Sequence, residues 1–186
     1  MPKIEKTEGN ITRVSYVDIS GKLTYAIDKR YAILAQTKDE KGRVLEEHYL
    51  NENEEQTECW GYFGISYEHR EREDIITYLN EEGNPIKTQS GYAIIVRSLD
   101  ERGQTLDDRY YDENRNPVMC TGGYYGMHRE RDGKGRITEM ALLSASRVVL
   151  QRKNGCLMKK TVWYRNFILM QTIILSACHW DRRVSI

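Results

Sequence analysis

The chain has 186 residues, 28 basic and 28 acidic side chains, 39% apolar residues and only 3 prolines. This composition excludes a collagen-like or proline-rich chain, and a formal charge of zero gives no reason to expect nucleic acid as a partner. No apolar run reaches the roughly 18 residues of a membrane span, and the polar N-terminus is unlike a secretory signal. By default we expect a cytoplasmic protein of one domain or one short repeat array, unless the chain is part of a surface protein.

Charge divides the chain near Met140. Residues 1–139 carry 20 basic and 27 acidic side chains, a net charge of −7, whereas residues 140–186 carry 8 basic and 1 acidic, a net charge of +7. Twelve of the 13 tyrosines also lie before the break. We therefore predict an N-terminal extension over 1–11, a repeat array over 12–139 and an atypical basic and apolar tail over 140–186.

A motif of about 32 residues repeats through the array. Each unit opens with a tyrosine, and eleven residues later has a glycine that follows an aspartate by three positions; the second unit has Glu73 at the glycine position. Asn-Pro follows the second tyrosine of two units. The opening tyrosines are Tyr31, Tyr62, Tyr92 and Tyr124, and the turn residues are Asp39, Gly42, Asp100, Gly103, Asp132 and Gly135.

Each unit has the pattern of a β-hairpin. Residues 92–96 are aromatic and β-branched, which favours a strand. Residues 100–103 predict a turn, because aspartate can bond the turn backbone and glycine can adopt positive φ, and residues 105–111 predict the return strand. Glu73 predicts an altered hairpin in the second unit. Since a single hairpin is unstable in water, we predict an all-β fold in which tandem antiparallel hairpins form an extended meandering sheet.

The repeated tyrosines Tyr31, Tyr62, Tyr92 and Tyr124 admit two interpretations. Packing between repeats, on a face that is half accessible to water, is the simpler one. The alternative is an aromatic row that binds a ligand, and on that interpretation these four tyrosines are the candidate binding residues.

Gly-Tyr-Ala-Ile…Asp-Glu-x-Gly alternates with Tyr-x-Asp-x-x-Gly-Asn-Pro over about residues 14–139. This alternation resembles the tandem tyrosine/aspartate/glycine hairpin repeats of uncharacterised bacterial proteins and, more distantly, YD (RHS-type) and MORN-type repeats. The resemblance implies a repeat architecture that is usually an accessory region of surface-associated or toxin-related proteins. The leading functional prediction is a non-enzymatic module that presents a surface for protein or glycan binding.

The segment His-Arg-Glu-Arg occurs twice, at 69–72 and at 128–131. Pairing of histidine with glutamate would suit acid–base chemistry, and a hydrolytic enzyme using His69 or His128 is therefore an alternative. Ion pairing between strands on a solvent-exposed face of the sheet explains these residues more simply.

Metal and cofactor sites have little support in the sequence. No two cysteines have the C-x-x-C spacing, and Cys59 and Cys120 occupy similar places before repeat tyrosines, which favours packing. Asp112, Asn114 and Asn116 imitate the first ligands of a calcium loop, but a proline follows where that loop needs glycine. We expect no metal and no cofactor.

The tail permits a test against the genetic code. A codon frame shifted by two bases forces alanine across Met170-Gln171 and glycine across Trp180-Asp181, and it permits Tyr-x-Asp-Ala-Asp-Asn-Asn-Pro in register with residues 110–117, although no tyrosine can be read after the forced glycine. A frameshift near Met140 would make the chain a non-functional, truncated fragment of a larger repeat protein. The rival interpretation is a native amphipathic tail that contacts an anionic membrane or a partner groove.

Overall fold

The structure is a computed structural model that describes residues 2–26 and 28–144 and, beyond them, the backbone of three strands. Ten strands form one open antiparallel sheet, and each strand pairs with its neighbours in the chain, so the strand order is the chain order. This arrangement confirms the predicted all-β fold of tandem hairpins. The strands are β1 (Lys3–Glu8), β2 (Ile11–Tyr16), β3 (Ile33–Lys38), β4 (Val44–Leu50), β5 (Gly64–His69), β6 (Glu73–Leu79), β7 (Ile94–Leu99), β8 (Thr105–Tyr111), β9 (Gly126–Arg131) and β10 (Ile137–Leu143).

The sheet extends beyond the predicted array of 12–139 at both ends. The predicted N-terminal extension contains β1, which pairs with β2 along its whole length. At the other end, Met140 lies inside β10, and Leu143 is only 1% exposed. The change in composition at Met140 therefore does not coincide with the end of the sheet.

A separate three-stranded sheet follows, with β11 (Val149–Lys153), β12 (Cys156–Arg165) and β13 (Ile168–Thr172). The two hypotheses for the tail, a frameshift or an amphipathic segment, concern side chains that lie outside the described residues. Within the described part of the chain, no helix is long and apolar enough to cross a membrane.

Seven turns share one arrangement, in which the side chain of an aspartate or asparagine closes the turn. In the turn that begins at Asp100, its Oδ1 accepts the N–H groups of Arg102 (2.9 Å) and Gln104 (2.8 Å), two and four residues later. The residue three positions after Asp100 is Gly103, whose φ is +73°. Equivalent turns begin at Asp18, Asp39, Asn51, Asp112 and Asp132, and in the turn that begins at Asn80 the side-chain oxygen accepts the N–H group four residues later.

The hairpin of β5 and β6 differs from the others, as its glutamate predicts. Its loop is two residues shorter, and it is closed by a hydrogen bond from Arg70 N–H to the Glu73 carbonyl (2.7 Å). The hairpins that do have the aspartate–glycine turn carry a register shift beside it, at Lys38, Leu99 and Ile137. The positive-φ glycine and the bulge next to it therefore occur together.

Gly103 and Gly133 form a matched pair for testing the turns. A Cβ at either position would meet no atom within 4 Å, but only Gly103 has a left-handed φ. We predict that Gly103→Val lowers the free energy of unfolding by about 1 kcal/mol or more, because a β-branched residue resists positive φ. Gly133→Val, the control, should change it by less than about 0.5 kcal/mol. Equal effects of the two variants in denaturant titrations would contradict this explanation.

Candidate functional site

One continuous row of eight tyrosines crosses the sheet near the strand ends. Its members come alternately from the end of one strand and from the segment that leads into the next strand. Ring centroids of neighbouring tyrosines lie between 4.4 and 6.0 Å apart, within the range of favourable aromatic pairs. This tyrosine row consists of Tyr16, Tyr31, Tyr49, Tyr62, Tyr78, Tyr92, Tyr110 and Tyr124.

The tyrosines of the row differ in their access to solvent. Tyr31, Tyr49 and Tyr110 are at most 5% exposed, and burial raises the pKa of each phenol well above its ordinary value. Tyr31 was a candidate binding residue, but its ring is buried and serves packing. Tyr62, Tyr92 and Tyr124, the other three candidates, are half-buried.

Small and branched side chains fill the spaces beside the row. Ile65, Ile76 and Ile95 form a buried cluster with Tyr110 and Cys120. Cys59 is fully buried in a second cluster with Tyr31 and Tyr49. Both cysteines are free thiols in the core, which agrees with the packing role expected from their positions.

An acidic side chain is buried on the same face as the row. Asp108 is 3% exposed and accepts a hydrogen bond from Arg97 Nε (2.7 Å), while Arg129 Nη1 lies 2.8 Å from its other oxygen. The three residues come from β8, β7 and β9, so the cluster ties three strands together. Two guanidinium groups therefore compensate the one buried carboxylate.

The two His-Arg-Glu-Arg segments occupy different structures. His128 lies within β9, whereas His69 ends β5 and the three residues after it form the short turn. His69 Nδ1 lies 2.7 Å from Asp74 Oδ1, and Nε2 lies 2.8 Å from the Val44 carbonyl oxygen. Both ring nitrogens of His69 are thus engaged within the sheet, and its acidic partner is an aspartate across the strand pair.

His128 also pairs with an aspartate. Its Nδ1 lies 2.9 Å from Asp107 Oδ1, and Ser98 Oγ donates to the other carboxylate oxygen (3.1 Å). Burial alone would raise the pKa of Asp107, but the hydrogen bond and charge of His128 and the hydrogen bond from Ser98 outweigh it and hold that pKa below its ordinary value. A nucleophilic triad needs histidine between serine and aspartate, whereas here the aspartate lies in the middle.

The segment that imitates a calcium loop is one of the closed turns. Asp112 Oδ1 accepts the backbone N–H groups of Asn114 (2.9 Å) and Asn116 (2.7 Å), and Oδ2 lies 3.1 Å from Asn116 Nδ2. Among the residues that the structure describes, no three His, Cys, Asp or Glu side chains are grouped so that they could hold a metal ion. The carboxylate oxygens of Asp112 therefore accept hydrogen bonds from the turn that they close.

Comparison with known proteins identified no relative of this chain. No protein-family model, curated protein or solved structure matches the chain. Inferences about function therefore depend on the sheet itself.

We predict that Asp108→Ala lowers the free energy of unfolding by about 3 kcal/mol, because it leaves two guanidinium groups without their shared partner. The control is Asp107→Ala, which removes the more exposed neighbouring carboxylate and should cost less. Chemical denaturation of both variants measures the difference. An effect of Asp108→Ala no larger than that of the control would refute the role of the buried cluster.

The stability of the fold should decrease at low pH because the turn aspartates become protonated. Donation from turn N–H groups lowers the pKa of Asp112 and Asp132, so protons bind more tightly to the unfolded chain. The stabilisation is present above the unfolded pKa, about 3.9, and is lost as pH falls through the folded value. We predict a steady Tm from pH 7 to about 5 and a decline below pH 4.

A variant in which the turn aspartates become asparagine tests the cause of that decline. Asn51 already closes an equivalent turn, which shows that asparagine can supply the acceptor oxygen. The variant that carries Asp18→Asn, Asp39→Asn, Asp112→Asn and Asp132→Asn should lose less Tm between pH 5 and pH 2 than the parent. Equal losses would place the acid sensitivity elsewhere.

Proposed function

We propose that the protein is a non-enzymatic binding module whose tyrosine row presents a surface to a glycan chain. The observation that carries this proposal is the half-exposed centre of the row, where Tyr62, Tyr78 and Tyr92 follow one another with centroids 4.8 and 6.0 Å apart. The rings are packed on their neighbours and so need little further ordering when a ligand binds.

A glycan suits this surface for two reasons. Each sugar ring has an apolar face of C–H groups that can lie on an aromatic ring, while its hydroxyl groups can bond the phenols at the edge. In addition, the row repeats across strands, and a polymer with repeating units can use several equivalent contacts at once. A protein partner is the alternative occupant, and it would be expected to bury more of the sheet.

The engagement of His69 supports a role without catalysis. An acid–base residue must reach a substrate with a free ring nitrogen, and both nitrogens of His69 are engaged by the sheet. His128 points its Nδ1 at Asp107, whose other oxygen is taken by Ser98. We further propose, from the sequence motif, that these repeats belong with the bacterial hairpin arrays they resemble, for which an accessory binding role is expected.

A glycan array tests the proposal, followed by titration of any glycan that binds. The triple variant Tyr62→Phe, Tyr92→Phe and Tyr124→Phe keeps the rings and removes three hydroxyl groups, so it should fold normally and bind at least about tenfold more weakly. Tyr111→Phe is the matched control, because Tyr111 follows Tyr110 in β8 and lies on the opposite face. Absence of binding to every glycan, or equal binding by the triple variant, would overturn the proposal.

A further inference from the structure

A small cavity opens beside the tyrosine row. Its volume is about 290 Å³, at the small end of the range of ligand sites. A second cavity of about 560 Å³, near the N-terminus, includes Lys6, Glu8, Arg13 and Glu54 in its wall, whereas the first has no charged residue in a chain that is 30% charged. The lining of the first cavity, which we name the Trp60 cleft, is Trp60, Tyr62, Tyr78, Thr88, Gln89, Ser90 and Tyr92.

The cleft lies between two neighbouring loops that differ in length. The loop from Cys59 to Tyr62 has only two central residues and closes with a hydrogen bond from Cys59 N–H to the Tyr62 carbonyl (2.7 Å). The next loop, 88–92, has three central residues, and the loop after it is bonded to it from Thr121 N–H to the Ser90 carbonyl (2.9 Å). The Trp60 cleft is on the other side of loop 88–92, where that loop faces the short one.

Trp60 occupies a backbone conformation that disfavours it. Its φ is +58° and that of Gly61 is +90°, as in a type I′ turn, where asparagine followed by glycine is the usual pair. A bulky residue at such a φ is strained, and strain of this kind is concentrated at functional sites. Trp60 is also 41% exposed, and no aromatic ring of the described residues stacks on it.

We propose that the Trp60 cleft binds one pyranose ring of a neutral saccharide. The exposed indole would take the apolar face of the sugar, and the exposed side chains of Gln89 and Ser90 would bond its hydroxyl groups. The absence of charge in the lining favours a neutral sugar over a uronic or sialic acid, since an ionised carboxylate would lose its hydration without gaining a cation. This inference rests on the proposed glycan-binding function and names the cleft beside the row as the place that selects the sugar.

The test uses the full chain labelled with ¹⁵N, with glucose, galactose, mannose, N-acetylglucosamine and glucuronic acid as probes. The indole N–H signal of Trp60 is the reporter, identified by its loss in Trp60→Asn. A neutral sugar should shift this signal saturably at millimolar concentration, and glucuronic acid should not. Trp60→Asn removes the ring and installs a residue that the turn prefers, so binding by calorimetry should weaken at least about tenfold, whereas Tm should rise by about 2–4 °C. Tyr25→Asn, which removes another exposed aromatic ring, should leave binding unchanged.

The outcomes separate this inference from the proposed function. If an oligosaccharide found on the glycan array binds Trp60→Asn as well as the parent, the cleft assignment is wrong and the module proposal stands. If no probe moves the Trp60 signal while the array is positive, the cleft assignment is again wrong and the module proposal stands. If the array is negative and the signal does not move, both proposals fail. A stronger response to glucuronic acid than to the neutral sugars would overturn the assignment of a neutral ligand.

Discussion

Lateral packing of tyrosine on tyrosine is the interaction on which this sheet depends. Ten strands lie in one open layer, so each unit obtains much of its burial from the units on either side. The tyrosine row makes seven ring contacts in sequence, and each such pair is worth about 0.5–1.5 kcal/mol beyond the area it buries. Because one strand spacing separates successive rings, an error in register would break several contacts at once, which makes the row a determinant of register as well as of stability.

The side-chain-closed turns complement the row by making each reversal independent of its neighbours. In six of the seven turns the Asp or Asn side chain supplies an acceptor for two N–H groups that the reversal leaves without a backbone partner. Once that closure exists, the residue three positions later need not be glycine, since Glu54 and Arg115 adopt φ of 64° and 63° there. Local closure thus lets the turns vary in sequence while the row keeps the strands aligned.

The extent of sequence-based prediction follows from the range of each interaction. The hairpins and their turns were predictable, because the aspartate, the glycine and the alternation all act within about ten residues. The buried cluster of Asp108 could not be predicted without the relative register of three strands. The spacing of Asp108 and Tyr110 in the sequence indicates only that the two side chains share a face. His69 and His128 are followed by identical residues but lie in different structures. The residues after His69 form the shortened loop between β5 and β6, whereas those after His128 continue strand β9. The conformation of Trp60 also depends on the length of a loop, in this case loop 59–62 with its two central residues.

The repeat units differ most in the loops, where neither the packing of the tyrosine row nor the closure of the turns constrains the sequence. The position that precedes each loop at the row holds Ala26, Cys59, Thr88 and Cys120, all small and at least partly buried, so packing limits it. The loops that follow these positions differ in both length and chemistry. Loop 59–62 is one residue shorter than loop 88–92, and the Trp60 cleft lies between them beside half-exposed rings. A repeat array of this kind can therefore vary its surface through its loops while the row and the strands stay the same, and under the proposed function Trp60 in its strained turn is the side chain that this variation offers to a ligand.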